Sequence, residues 1–196
     1  MMTVQLWIKV VIGVLPAMVL GLLFNDLIEE KLNNPYVVAA MLILYGVLFI
    51  VVENYNKTRE PKVTKLSQLT VPVILLIGLF QALAMIPGTS RSGATIVGAL
   101  ILGVSRGIAT EFTFFLAIPT MLGASALKLF KFGLNFTSMQ VFLLILGMAV
   151  SFGVSVVAIN FLLKYIRNHD FKVFGYYRII LGVIVILYFA IILIEA

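Results

Sequence analysis

Long apolar runs separated by short polar interruptions govern this chain, and the length of each run predicts what it builds. Residues 6 to 24 are enough to cross a membrane as one helix, since a hydrocarbon core of about 30 Å needs roughly 20 apolar residues. Asp26, Glu29, Glu30 and Lys31 then mark an expected exit into water, and Asn33-Asn34-Pro35 an expected turn. A second span is predicted from about Tyr36 to Val52. Glu53 to Gln68 is the longest polar stretch and reads as a solvated loop. A helix is predicted over 69 to 86, a break at Pro87-Gly88, and a second helix over about 91 to 102. Gly103 to Gly107 makes a short polar turn. Further spans are predicted at 109–130, 139–163 and 174–194, joined by a turn at Asn135 to Ser138 and a charged loop from Lys164 to Lys172.

The piece at 91–102 is too short to cross a roughly 30 Å core at about 1.5 Å per residue. A re-entrant pair, in and out on one side, fits 69–104 better than two full spans. Small residues recur every four positions at Gly13, Ala17 and Gly21, and again at Gly147, Ser151 and Ser155, which lays smooth stripes along helix faces for close contact. Ala94 and Gly98 give the short helix a small face as well. Pro16 and Pro119 predict kinks, which membrane helices tolerate where neighbours satisfy the freed carbonyl. The expected fold is all-α and polytopic: about five transmembrane helices plus one re-entrant helix pair, in a single integral membrane domain over 1–196.

Composition moves the picture further from a soluble domain. Of 196 residues, 62% are hydrophobic and 11% charged, with mean hydropathy +1.16, where a soluble domain is about half apolar and about a quarter charged. Cysteine is absent, which excludes a disulfide framework and a thiolate metal site. The net charge of +6 calls for no nucleic-acid partner, because the basic residues gather in loops. The start, Met1 to Trp7, lacks a basic n-region and a small-residue cleavage site, and reads as entry into a helix rather than a signal peptide. With a re-entrant pair, Lys57, Arg59, Lys62, Lys65, Arg106, Lys164, Arg167 and Lys172 fall on one side, and Lys31, Lys128 and Lys131 on the other. That asymmetry puts the 53–68 loop in the cytoplasm and the C-terminus outside. Two full spans over 69–104 leave the same count.

Candidate chemistry concentrates in Gln81-Ala-Leu-Ala-Met-Ile-Pro-Gly-Thr-Ser-Arg-Ser-Gly-Ala-Thr95. An arginine at membrane depth marks a functional site by default. Irregular backbone there survives only where it is buried in protein or lines a wet cavity. A helix that begins at that depth points free N–H groups and its positive dipole end at what precedes it. Here that position holds Gly88, Thr89, Ser90, Arg91 and Ser92. Glycine admits close approach, hydroxyls donate, and the planar fork of arginine grips two phosphate oxygens. Gln81, nine residues before Ser90, can line the same cavity from the incoming helix. The combination suits a phosphate or diphosphate reached from the bilayer. The competing reading is a buried kink whose arginine pairs with a carboxylate or with carbonyls.

Other motifs are weaker. No Gly-x-x-x-x-Gly-Lys-Ser/Thr spacing occurs, so the glycines make no nucleotide P-loop. A lipid-phosphatase signature needs histidine six residues after the arginine, and that position is Val97. Glu111 reads as an interfacial residue near Arg106 rather than a functional carboxylate. His169 reads as a solvated residue in a charged loop. The residues alone assemble no nucleophile, base and metal site.

Pro87-Gly-Thr-Ser-Arg-Ser-Gly93, preceded by Gln81-x-Leu-Ala and followed by Thr95, resembles the second signature of the undecaprenyl-diphosphate phosphatase (bacitracin-resistance) family. Gly103-Val-Ser-Arg106, Phe112 to Pro119 and Gly13-Val-Leu-Pro16 fit the flanks, so the resemblance covers essentially the whole chain. It implies a multi-pass enzyme of the bacterial plasma membrane, with the fold as the later part of an inverted repeat. The implied reaction hydrolyses undecaprenyl diphosphate to the monophosphate and inorganic phosphate, renewing the lipid carrier for peptidoglycan synthesis. The implied partners are a polyprenyl diphosphate lipid and membrane lipids, and a homo-oligomer stays open. Ser90 and Arg91 carry over as catalytic residues, and Gly88, Thr89, Ser92, Thr95 and Gln81 as phosphate-binding residues.

The sequence departs from the family in one respect. The first signature, a Glu-x-x-x-Glu pair followed by Pro-x-Ser-Ser-x-Gly-His, is absent, and the chain reads as beginning after it. The divalent metal that the resemblance implies, Mg or Ca, therefore has no ligand set in this chain. The expectation is a fragment or truncated reading frame that alone binds poorly and hydrolyses little. The alternatives are a transporter or flippase of an anionic polyprenyl lipid, built from half-helices meeting at mid-membrane, and a silent membrane subunit.

Overall fold

The computed structural model describes residues 2–133 and 136–195. All the regular elements among them are helices, and five are long and apolar enough to cross a membrane. The first, α1 (Met2–Leu32), outruns its expected exit, because no glycine or proline lies between Phe24 and Asn33 and Glu29, Glu30 and Lys31 are good helix formers in water. Asn34 then caps α2 (Pro35–Asn56), its side chain accepting from the N–H of Val37 at 2.9 Å, with Pro35 in the first turn. Since α2 runs to Asn56, Glu53 belongs to a helix and is only 1% exposed, not part of a solvated loop.

After a 3-10 turn at Leu66–Gln68 come α3 (Val71–Ala82), a second 3-10 turn at Leu83–Met85, and α4 (Arg91–Ile101). The rest is α5 (Arg106–Phe132) with Pro119 inside it, α6 (Ser138–Asn168) and α7 (Lys172–Glu195). Of the turn expected at Asn135–Ser138, Asn135 lies outside the described residues, while Thr137 and Gln140 form a reciprocal cap on α6.

Glycines set the closest helix contacts. Gly78 of α3 sits against the carbonyl of Gly13 and the ring of Pro16, and Gly21 faces Met85, so the stripe on α1 is used as its spacing implies. Between α2 and α7, Gly46 and Gly175 lie back to back: a Cβ on either would come 2.7 Å from the carbonyl oxygen of the other. Gly182 continues this seam against Ala39 and Ile43. At the centre stands α4, packed against α2, α3 and α5 and buried from Gly93 to Leu100. By contrast Gly147, Ser151 and Ser155 are exposed on α6, and their stripe finds no partner helix among the described residues.

The segments before α3 and after α4 are stitched together. Gly103 O accepts from Lys62 N at 2.8 Å, Val63 O accepts from Ser105 N at 2.9 Å, and Val63 and Val104 form a parallel bridge. Asn56 Nδ2 donates to Leu100 O at 3.1 Å, and Lys9 Nζ donates to Ser67 O at 2.8 Å. The α3–α4 hairpin thus starts and finishes at one end of the bundle. That end also holds the buried carboxylate. Arg106 Nε donates to Glu53 Oε2 at 2.8 Å, Arg106 Nη2 to the same oxygen at 2.5 Å, and Phe171 N to Oε1 at 3.1 Å. Glu111, expected near Arg106, is exposed, and the partner of Arg106 is Glu53.

Candidate anion site at the start of the buried half-helix

Ile86-Pro87-Gly88-Thr89 is a tight turn in which Thr89 N donates to Ile86 O at 3.1 Å. Proline second and glycine third, the latter at φ +87°, are what a type II turn requires. A Cβ on Gly88 would collide with the backbone of Val38 on α2 as well as strain the turn. The chain then enters α4 through Ser90, an extended residue whose Oγ accepts from Gly93 N at 3.1 Å. Ser90 Oγ also lies 3.2 Å from Ser92 Oγ. This cap uses acceptor capacity on Ser90, and one of the two serine hydroxyls can donate to the other.

A residue absent from the sequence-based list completes the site. Arg178 of α7 is 9% exposed and donates from Nη2 to Gly88 O at 2.8 Å. The glycine seam holds α7 close to α2, and Arg178, one turn beyond Gly175, lies 5.9 Å from the centroid of the Tyr45 ring. Its Nη1 comes within 3.3 Å of the place a Cβ on Gly93 would take. Ser90, Ser92, Gly93, Phe49, Phe174 and Arg178 share the wall of a cavity of about 210 Å³. The signal that could have found Arg178 is plain: it is a charged residue inside the apolar run 174–194.

The other expected residues divide. Arg91 is not on that wall. Its Nη1 is buried without a partner, as are Thr89 Oγ1 and Arg178 Nε. These three atoms are the buried side-chain nitrogens and oxygens without a hydrogen bond among the described residues; Thr89 is in the turn, Arg91 follows two residues later, and Arg178 is bonded to Gly88 through Nη2. Thr95 faces inward, donating to Arg91 O at 3.0 Å and accepting from Thr113 Oγ1 at 3.0 Å. Gln81, 3% exposed, donates from Nε2 to Thr120 Oγ1 on α5 at 3.2 Å and does not line the cavity of Ser90 and Arg178.

The Arg178 guanidinium, two serine hydroxyls and the start of α4 share one wall, Arg91 is the first residue of that helix, and no carboxylate pairs with either arginine among the described residues. Buried donors without acceptors are rare in folded proteins. The group complementary to such donors is an oxyanion. A metal ion does not fit: the described residues hold no group of three or more His, Asp or Glu side chains. Glu53, the buried carboxylate, already accepts from Arg106 and Phe171.

Comparison with known proteins agrees with this chemistry. The family model described as bacitracin resistance protein BacA matches residues 1–184. A protein named undecaprenyl-diphosphatase from Desulfitobacterium hafniense is 58% identical over 189 residues, which are 96% of this chain and 68% of that protein. One of the same name from Enterococcus faecalis matches equally, 58% over 189 residues. Undecaprenyl-diphosphatase 1 of Clostridium acetobutylicum is 54% identical over 190 residues, 96% of this chain and 69% of its own length.

Proposed function

Because the chain belongs to the bacitracin resistance protein BacA family, we propose that it works as an undecaprenyl-diphosphatase. It is a multi-pass protein of the bacterial plasma membrane and a hydrolase of the lipid carrier used in peptidoglycan synthesis. The bond between the two phosphorus atoms' bridging oxygen and the terminal phosphorus breaks. Water supplies the new oxygen, and undecaprenyl phosphate and inorganic phosphate leave. The names of the relatives do not favour the alternative of a transporter or flippase.

The observation that carries the site assignment is that Thr89 Oγ1, Arg91 Nη1 and Arg178 Nε, all from residues at or bonded to the 86–91 segment, are buried without a hydrogen-bond partner. In this reading Arg91 and Ser90 act on the transferring phosphoryl group. Arg91 stabilises the charge that spreads over its oxygens, the largest contribution a protein makes to phosphoryl transfer. Ser90 donates its proton to a phosphate oxygen while Gly93 N–H fixes its side chain. Gly88, Thr89 and Ser92 line the diphosphate, and Arg178 clamps the turn and offers Nε to it. Thr95 and Gln81 act one step removed, by fixing α4 against α5 and α3 against α5. The α3–α4 pair is re-entrant: α4 is 11 residues long, about 16 Å, or half of a roughly 30 Å core. The divalent ion that diphosphate chemistry commonly uses has no fitting ligand group among the described residues.

The test is release of inorganic phosphate from a polyprenyl diphosphate by the purified protein. It is run on the chain alone and on the chain co-expressed with the part of a relative that it does not cover. Phosphate release that requires Arg91 supports the assignment. Release that is indifferent to Arg91, in a preparation that hydrolyses the lipid, overturns it.

A further inference from the structure

A second cavity, of about 870 Å³, opens at the other end of α4, between the end of α2, the 57–62 segment, the α4–α5 turn and the α6–α7 turn. Five cationic side chains line it: Lys57, Arg59, Lys62, Arg106 and Lys172. Three carboxylates share the lining, and two of them are engaged. Glu53 is held by Arg106 and Phe171 N, while Asp170 accepts from Lys172 N at 3.2 Å and faces its amine at 3.7 Å. Glu60 alone faces Lys57, Arg59 and Lys62, and none of these four makes an ion pair among the described residues.

The cations are presented on a fixed frame rather than on a free loop. The Lys62 and Val63 backbones are hydrogen-bonded to the α4–α5 turn, the methylenes of Lys62 lie over Gly103, and the Arg59 guanidinium stacks 3.9 Å above the Tyr55 ring. Arg106 holds Glu53 through Nε and Nη2, is 41% exposed, and keeps Nη1 for another acceptor. Leu100, Ile101 and Ile166 supply an apolar wall beside these charges. Cations above an apolar wall, at the end of membrane-spanning helices, match a phosphate whose carrier continues into hydrocarbon.

We propose that this cavity binds a phosphate group, carried in the membrane by an anionic phospholipid. The site is distinct from the turn at Gly88, shares no residue with it, and does not depend on the hydrolytic activity.

The test measures binding to the purified full chain in detergent, by native mass spectrometry and by thermal unfolding. The probes are phosphatidylglycerol, net-neutral phosphatidylcholine and inorganic phosphate. Two variants are compared: Lys57→Gln with Lys62→Gln, and Gly107→Asp. Gly107 lines the same cavity with open space where a Cβ would lie, so an aspartate there adds negative charge with room for its Cβ. Phosphatidylglycerol but not phosphatidylcholine should bind and stabilise, and binding should weaken about fivefold for each cation removed. High salt should weaken it too. Inorganic phosphate that competes with phosphatidylglycerol and is lost in both variants identifies the same site with a soluble occupant. Phosphatidylglycerol binding equal in wild type and in both folded variants, or no binding of either phosphate probe, overturns the proposal.

Discussion

Arg178 Nη2 donates to the carbonyl oxygen of Gly88 at 2.8 Å, joining the last helix to the turn ninety residues earlier. This bond closes the site from the side of α7 while leaving Arg178 Nε buried and unpartnered. Lysine keeps the charge but lacks the fork that bonds Gly88 and a phosphate at once. Arg178→Lys is therefore expected to lower phosphate release on the order of 10²-fold, the usual cost of losing one charge-stabilising donor. Yield of folded protein should stay close to wild type. Unchanged turnover in the folded variant would contradict the role given to Arg178.

Arg91→Lys separates catalysis from structure. If Arg91 stabilises charge on the phosphoryl group, turnover should again fall on the order of 10²-fold while folded yield holds. If it serves only to fill a buried polar position, lysine should keep most of the activity and Arg91→Ala should lower yield. Turnover and yield measured side by side decide the matter.

Gly88→Ala tests the turn. An L-residue in the left-handed region costs about 1–2 kcal/mol, and here the Cβ also meets the backbone of Val38. The melting temperature should drop and phosphate release with it. A variant of wild-type stability would mean that the turn relaxes freely.

Glu53 and Arg106 make the same argument for the other end of the bundle. Glu53→Ala leaves Arg106 and Phe171 N without their acceptor; because Arg106 is 41% exposed and can turn to water, the melting temperature should drop by less than for a fully buried pair. Glu53→Gln keeps one acceptor oxygen and should recover part of the loss. Equal melting temperatures for wild type and Glu53→Ala would refute a structural role for the pair.

Topology is tested by cysteines introduced singly into this cysteine-free chain. If the α3–α4 hairpin is re-entrant and α5 and α6 cross, Thr58→Cys and Gly107→Cys should label from the cytoplasmic side and Ser138→Cys from outside. Labelling of residues 58 and 138 from the same side would break the arrangement.

The five long helices were legible because length and apolarity alone decide them in a membrane. The site turn was legible because Pro87-Gly88 and the hydroxyls that follow are local signals. Glu53 was not: it stands at the head of a polar stretch in sequence, and only the fold brings Arg106 and Phe171 to it. Arg178 was overlooked for a related reason. Its charge inside the run 174–194 is a signal, but its partner is fixed by the Gly46–Gly175 seam rather than by anything nearby in the chain. Gln81 and Thr95 lie close in sequence to the turn, yet their hydrogen bonds go to α5, which spacing along one strand of sequence does not reveal.

The brevity of α4 also has an electrical meaning. If the α3–α4 pair is re-entrant, a helix of 11 residues begins about halfway through the insulating layer, and a phosphate held at Ser90 lies partway down the membrane voltage. Each elementary charge crossing the full layer changes energy by about 2.3 kcal/mol per 100 mV, and half the depth corresponds to roughly half of that. Occupancy by a multiply charged diphosphate should therefore respond to the potential of the living cell, a dependence that detergent-solubilised protein cannot display.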